Sequence, residues 1–356
     1  MNSIARQVAR VSSNIETATR AGEFAAIAKC LAASDGGNNA AAKFAEAKRM
    51  PRRVVEILKA GVTAGTLGGS AGDALADYGV LAQAWLDSLR TVSAFDAMLS
   101  SMTKIPLRTF VGISTLEVSG YVRGEGQAKT ISQMQLAPQG LEPISVVAWV
   151  VLSKELATFS GPNGASLFDR ELRAGVAAAT DSKFVSVLTA GLSPITSSGS
   201  TVAAVRSDLA AALAGIETSA ISQIFVLVPA KIAKAWAMAN TEGGAPAFPE
   251  MGVLGGVIAG MRVLVSSGVA DGEIVVVDAA QIVAASETIE LKTVQHSTIE
   301  MSAPPDSPAT ASTVLVSLWQ NNLVALSAER YFGVQRGRDS AVALITGASY
   351  SGDSPA

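Results

Sequence analysis

Cysteine and histidine are nearly missing from this 356-residue sequence: each occurs once, as Cys30 and His296. That excludes a disulfide framework and any zinc site built from Cys and His. It also excludes Cys-His and Ser-His-Asp chemistry not centred on His296, and no other His or Cys is there to complete a metal shell around it, so His296 reads as a structural or exposed strand histidine. Charge is sparse too: charged residues are 16% of the chain, with 27 Lys and Arg against 30 Asp and Glu, a net of −3. A typical share is about 25%. Long apolar runs are absent, since Ile144 to Leu152 and the glycine-broken Met251 to Met261 both fall short of the ~18 residues that span a bilayer. The opening MNSIARQVAR carries charge every few residues, unlike the apolar core of a signal peptide, so a cytoplasmic origin is expected.

What is abundant is small and apolar: hydrophobic residues make up 49% and glycines number 32. So much apolar surface on a chain with few charges suggests burial against other chains, the alternative being an Ala-rich monomer.

Charge is unevenly placed. The first sixty residues hold ten basic and five acidic side chains, net +5, leaving −8 for the remainder. Ile4, Val8, Val11, Ile15, Ala18, Gly22 and Ala25 recur at helical spacing, forming a small-residue seam. Either a coiled-coil-like association element or an ordinary amphipathic helix fits it. Gly61 to Asp73 (GVTAGTLGGSAGD) reads as a flexible joint.

Farther on, Leu81, Trp85 and Leu89 place a helix within 77–99, and 105–122 alternates like strand. The polar, punctuated stretch from Gly120 to Pro143 lies between strand-like runs and has too few large apolar residues for a core. It reads as a two-stranded arm that lies against something else. Ser166 with Asp169 suggests a capping box opening a helix to Ala190. Alternating elements then imply a mixed α/β unit: helix 202–216, strand 224–228, helix 229–239, strands 261–265 and 273–277. Ser302 to Ser312 reads as an exposed loop, 314–334 and 341–345 as strands that return to close the first unit.

Motifs that could carry chemistry are weak. Ser101 and Lys104 have Ser-x-x-Lys spacing, but no Ser-Asp-Asn or Lys-Thr-Gly follows. Gly252 to Gly260 lacks the order of a nucleotide loop and no Gly-Lys-Ser/Thr occurs, so the glycines there serve close packing of a hairpin or loop. Arg336 and Arg338 read as solvated arginines near a turn.

The order of parts resembles the major capsid proteins of tailed double-stranded DNA phages, the Hong Kong 97-type fold, over roughly Ala74 to Ala348. The residues that carry the likeness are GYVRGEG (Gly120 to Gly126), Lys129 and Ser132, LEPISVVAWVVLSKEL (Leu141 to Leu156), and SLWQNNLVALSAERYFGVQRGRDSAVALI (Ser317 to Ile345) with its Glu329–Arg330 step. The resemblance implies an α+β fold with a basic, scaffold-like segment over 1–60 and an N-terminal arm over 61–112. An extended loop, the E-loop, spans 113–145. A peripheral (P) domain with a spine helix takes 146–200 and 301–356, and an axial (A) domain takes 201–300.

The implied function is self-assembly, without catalysis or cofactor, into the pentamers and hexamers of an icosahedral shell around double-stranded DNA. Its partners are copies of itself, nonspecifically held DNA, a portal and possible scaffold, protease or cement proteins. Its place is the virion capsid, assembled in the bacterial cytoplasm. Contacts between subunits are implied for Arg123, Glu125, Gln127 and Lys129 on the E-loop and for Asn321, Asn322, Glu329 and Arg330 on the P-domain. Some members join an E-loop lysine to a P-domain asparagine; here Lys129 and Asn321 or Asn322 take those places, but Ala328 stands where the assisting glutamate is expected, so no cross-link is expected. An encapsulin-type compartment holding a cargo enzyme is the first alternative reading, and a small-molecule α/β enzyme built on 202–277 the second.

Overall fold

The computed structural model describes residues 19–34, 37–60, 80–108, 110–114, 136–159, 162–241, 243–302, 306, 310 and 312–350, with backbone alone at 60, 110–114, 136–140, 159 and 162–167. Helices come first: α1 (19–33), α2 (Asn38–Ala47), α3 (Arg52–Ala60), α4 (80–88) and α5 (Ala94–Met98). Then come β1 (Thr103–Lys104), β2 (Phe110–Ser114), β3 (Leu136–Gly140), β4 (Ile144–Ser153), α6 (Lys154–Phe159) and α7 (Pro162–Thr189). A second run holds β5 (Ile195–Thr196), α8 (Val202–Ala214), β6 (Ile224–Val228), α9 (Ala230–Met238), β7 (Met251–Gly252), β8 (Gly255–Ile258), β9 (Met261–Val265) and β10 (Ile274–Asp278). The chain ends on β11 (Ile282–Val294), β12 (Thr298–Glu300), β13 (Leu315–Ser317), β14 (Leu323–Arg336) and β15 (Val342–Thr346).

This is a mixed helix and sheet architecture, as the alternation of periods implies. A four-stranded sheet runs β1-β11-β14-β4, a seven-stranded one β5-β15-β10-β6-β9-β8-β7, and two ribbons pair β2 with β3 and β12 with β13. Packing divides the chain into one unit of 1–92, 145–177 and 288–330 and another of 93–144, 178–287 and 331–356, so α7, β11 and β14 each contribute residues to both.

In the first unit, Leu81, Trp85 and Leu89 are buried as their spacing predicts. The helix expected across 77–99 nonetheless breaks: Leu89–Thr91 tightens into a 3-10 turn, and Ser93 starts α5 afresh by accepting the Asp96 N–H. A polar cluster fixes Trp85, whose indole Nε1 donates to Asp169 Oδ1 at 2.6 Å. Arg173 grips the same carboxylate with its Nε and Nη2, donates to Ser88 Oγ at 2.7 Å, and lies 5.6 Å from the Trp85 ring. Burial pushes the Asp169 carboxyl up and Arg173 draws it back. Asp169 is therefore no capping-box partner. The helix starts earlier, at Pro162, whose missing N–H costs nothing in a first turn. It runs 28 residues to Thr189, about 42 Å at ~1.5 Å per residue. The first unit's core gathers Ala28, Ala32, Leu152, Ala157, Phe168, Val324 and Leu326.

In the second unit, β6 (IFVLV) and β10 (IVVVD) are nearly or wholly buried. They occupy the interior of the seven-stranded sheet, where both faces are covered and a continuous apolar run is favoured over alternation. β10 pairs antiparallel with β6 and with β15, and β6 runs parallel to β9. The closing strand β15 thus joins this sheet, where the sequence reading returned it to the first unit. The Thr201 hydroxyl caps α8 by accepting the Ala204 N–H at 3.2 Å.

Tyr350 ties the chain end to α8. Its hydroxyl donates to Asp208 Oδ2 at 2.6 Å, beside Ser197 Oγ at 2.7 Å, while the Ser198 N–H reaches Oδ1 at 2.9 Å. Burial opposes the Asp208 charge, but these donors outweigh it and hold the carboxyl below its usual range; burial and then Asp208 push the Tyr350 hydroxyl up. A depressed carboxyl contributes stability above the unfolded value of about 3.9 and loses it as pH falls through the folded one. Tyr350→Phe is expected to cost about 1–2 kcal/mol at neutral pH, with a smaller stability loss than wild type on acidification from about pH 6 to about pH 3. Urea titrations across that range measure both; equal acid sensitivity of the two proteins would refute the link.

Candidate assembly surfaces

Local rules place three candidate surfaces. The first is the β2–β3 ribbon, in register over five positions from Phe110↔Gly140 to Ser114↔Leu136. Pro138 pairs opposite Gly112, and a proline with no N–H to donate is tolerated where no third strand adds on. The ribbon pairs the strands on either side of 115–135; Arg123, Glu125, Gln127 and Lys129 lie outside the described residues.

The second surface is the β12–β13 ribbon with the turn into β14. Two strands alone are marginal in water, yet this pair leaves Met301, Val314 and Leu315 exposed and holds Trp319 at 70% exposure. Asn321 and Asn322 sit on the same turn. The Asn321 Nδ2 donates to Ser317 O at 2.8 Å, and Asn322 takes φ +53, a left-handed conformation asparagine accepts. Its carbonyl accepts the Lys154 N–H at 2.9 Å. The turn splits the single strand expected over 314–334 into β13 and β14.

The third is β4, last in its sheet. Gly175 of α7 packs against Ala148, where an added Cβ would come to 3.1 Å, while Val147 and Trp149 point away from the core, Trp149 at 52% exposure. This strand edge carries an exposed tryptophan that hydrophobic pattern alone did not single out.

Glu329 and Arg330 differ from that picture. Glu329 accepts Lys292 Nζ at 2.6 Å and Ser145 Oγ at 3.3 Å, and Glu290 lies 3.1 Å from the same ammonium. The Glu329 hydrogen bond, then that of Glu290, raises the Lys292 pKa above the ordinary lysine value. Arg330 is buried at 0% exposure, so it offers a neighbour no surface. Ala328 is likewise fully buried.

The remaining motifs resolve locally. Ser101 lies in a turn and Lys104 in β1, so they do not share a helical turn. His296 is exposed in the bend before β12. Arg336 donates to Ala190 O at 2.7 Å and pairs with Asp339, and Arg338 pairs with Glu217; both arginines are engaged by their own chain. Among the described residues no three His, Cys, Asp or Glu gather as metal ligands, and no helix is long and apolar enough to cross a membrane.

Comparison with curated proteins finds 32% identity over 272 residues, 71% of this chain, to the "Capsid polyprotein" of Pseudomonas phage PAJU2. The chain is related to a phage capsid polyprotein. It spans 41% of that relative's length. No family model matches the sequence. Among solved structures, the chain is similar to one from Gordonia phage Cozz (15% identity, TM-score 0.47, covering 72% of this chain and 87% of that one). It is also similar to one from Mycobacterium phage Bobi (13%, 0.47, 70% and 89%) and to one titled as the capsid of a native GTA particle (15%, 0.47, 74% and 91%).

Proposed function

We propose that this protein is a major capsid protein of the Hong Kong 97 type, which tiles as pentamers and hexamers into an icosahedral shell around double-stranded DNA. The observation that carries the reading is the 32% identity to a phage capsid polyprotein over 71% of the chain. In this reading the protein performs mechanics and catalyses nothing. Its place is the virion, assembled in the host cytoplasm, with a portal and possible scaffold, protease or cement proteins as partners. The seven-stranded sheet carries the axial domain, α7 is the spine of the peripheral one, and residues 1–60 act in scaffolding.

The arm begun by β2 and β3 then lies on a neighbouring subunit, its Arg123, Glu125, Gln127 and Lys129 meeting the Asn321–Asn322 turn and Trp319. Charges there set register more than affinity. Glu329 and Arg330 instead hold their own subunit together. Many modest contacts suit a closed shell, because strong early ones trap misassembled pieces.

Expression of the full chain and negative-stain microscopy test the reading: closed particles are expected, and a small oligomer without megadalton species would refute it. Nucleic acid in purified particles supports a DNA shell, whereas a cargo enzyme would replace it with the encapsulin-type one. The double variant Trp149→Ser, Trp319→Ser is expected to unfold within about 0.5 kcal/mol of wild type, because both side chains are exposed. Size-exclusion chromatography should show most of its protein shifted from particles to free subunits or capsomers, and an undiminished particle peak would count against these two surfaces.

A further inference from the structure

The β7–β8 hairpin of the second unit turns through Val253 and Leu254, between the paired Gly252 and Gly255. Backbone packing fixes this tip. Gly255 has φ +110, and a Cβ on Gly256 would come to 2.3 Å from the Glu250 carbonyl oxygen. The result is a rigid apolar knob with Leu254 at 91% exposure and Val253 exposed beside it. A knob already held in shape loses little freedom on docking.

The same unit carries a matching hollow. A cavity of about 580 Å³ opens between α8 and the β8–β9 hairpin, lined chiefly by Leu209, Leu213, Phe248, Val257 and Met261, with Arg206 lying 6.0 Å from the Phe248 ring. The knob does not fill the hollow of its own chain, since Leu254 stays 91% exposed.

We propose that Leu254 and Val253 of one copy insert into this cavity of a second copy. Knob and hollow at different places on one unit make a head-to-tail contact, which closes into a ring if the rotation permits and otherwise grows into a filament. Two side chains bury far less than the ~800 Å² per partner of a standard stable pair. Dilute subunits therefore stay apart, and the contact holds only when a ring makes many at once. The choice of a second copy as occupant rests on the shell reading.

Cross-linking tests it in the full chain with Cys30→Ala, since Cys30 is buried. Leu254→Cys combined with Ala210→Cys, or separately with Leu213→Cys, should give a ladder of disulfide-linked oligomers on mild oxidation of particles. Each single cysteine should give none. Leu254→Asp should raise the concentration needed for assembly about tenfold or more, the factor that full burial of one leucine supplies, with circular dichroism and Tm of the subunit unchanged. Two results would overturn the contact and leave the shell reading standing: particles from Leu254→Asp at wild-type yield, or a Leu254→Cys thiol that reacts with maleimide as fast in particles as in free subunits. Cross-linked soluble rings with no particles would sink the shell reading and keep the contact. Neither particles nor cross-links would end both.

Discussion

Replacing Asp181 with alanine is expected to lower the stability of the second unit by about 3 kcal/mol or more, because several buried donors would lose their acceptor together. Asp181 is 1% exposed on α7. Its carboxylate accepts Ser93 Oγ at 2.7 Å, the Ala94 N–H at 2.9 Å, the Phe95 N–H at 3.2 Å and Ser266 Oγ at 2.8 Å. One side chain thereby fixes the start of α5 and the loop after β9. Gly268 has to be glycine for the same junction, since a Cβ there would come to 2.4 Å from the Asp181 carbonyl. Phe95, set by this anchor, packs on Phe184 and Phe332 with ring centroids 5.2 and 5.0 Å away.

Burial raises the Asp181 carboxyl above its ordinary value, and the four donors only partly offset it. The sign is opposite to that of Asp208. A raised carboxyl contributes most below the unfolded value of about 3.9 and loses that contribution as pH climbs through the folded one. Asp181→Asn does not titrate, so the advantage of wild type over it should narrow as pH rises from about 3 to about 7. Urea titrations give both numbers, and an alanine variant within about 1 kcal/mol of wild type would show that water replaces the carboxylate at no cost.

Shortening the arm is expected to have the largest effect on assembly. Removing 115–135 and joining Ser114 to Leu136 through Asn-Gly keeps all five pairs of β2 with β3 and supplies the turn a two-residue hairpin favours. The subunit should then fold with a midpoint within about 2 °C of wild type, a shift that corresponds to roughly 1.5 kcal/mol in a chain this size. Closed particles should be lost. Sedimentation velocity separates the outcomes: a folded subunit that still builds full shells would remove the arm from the mechanism, and an unfolded one would show that it supports its own chain.

Particular residues show where the sequence was legible. Ile224 to Val228, apolar throughout, announced a buried strand because a strand covered on both faces favours a continuous apolar run, and Glu273 to Val277 announced a strand. The seam Leu81, Trp85, Leu89 announced a buried helical face. Ser166 misled, because a capping pattern inside a helix is indistinguishable by residue type from one at its start. Asp169 faces Trp85 and Arg173, partners that only the fold brings near. Glu329 and Arg330 carried a family likeness, yet one is held in an ion pair and the other is enclosed.

By itself, then, the sequence determined the scarcity of reactive side chains, the mixed helix and sheet class and most strand positions, all of which follow from composition and local period. Tertiary structure alone decided that β15 joins the sheet of β6 and β10, that Asp181 anchors two distant loops, and that Trp149, Trp319 and Leu254 stay outside the core. Local period fixes which face of an element is apolar. Which neighbour covers that face, or whether any does, depends on contacts between residues far apart in the chain.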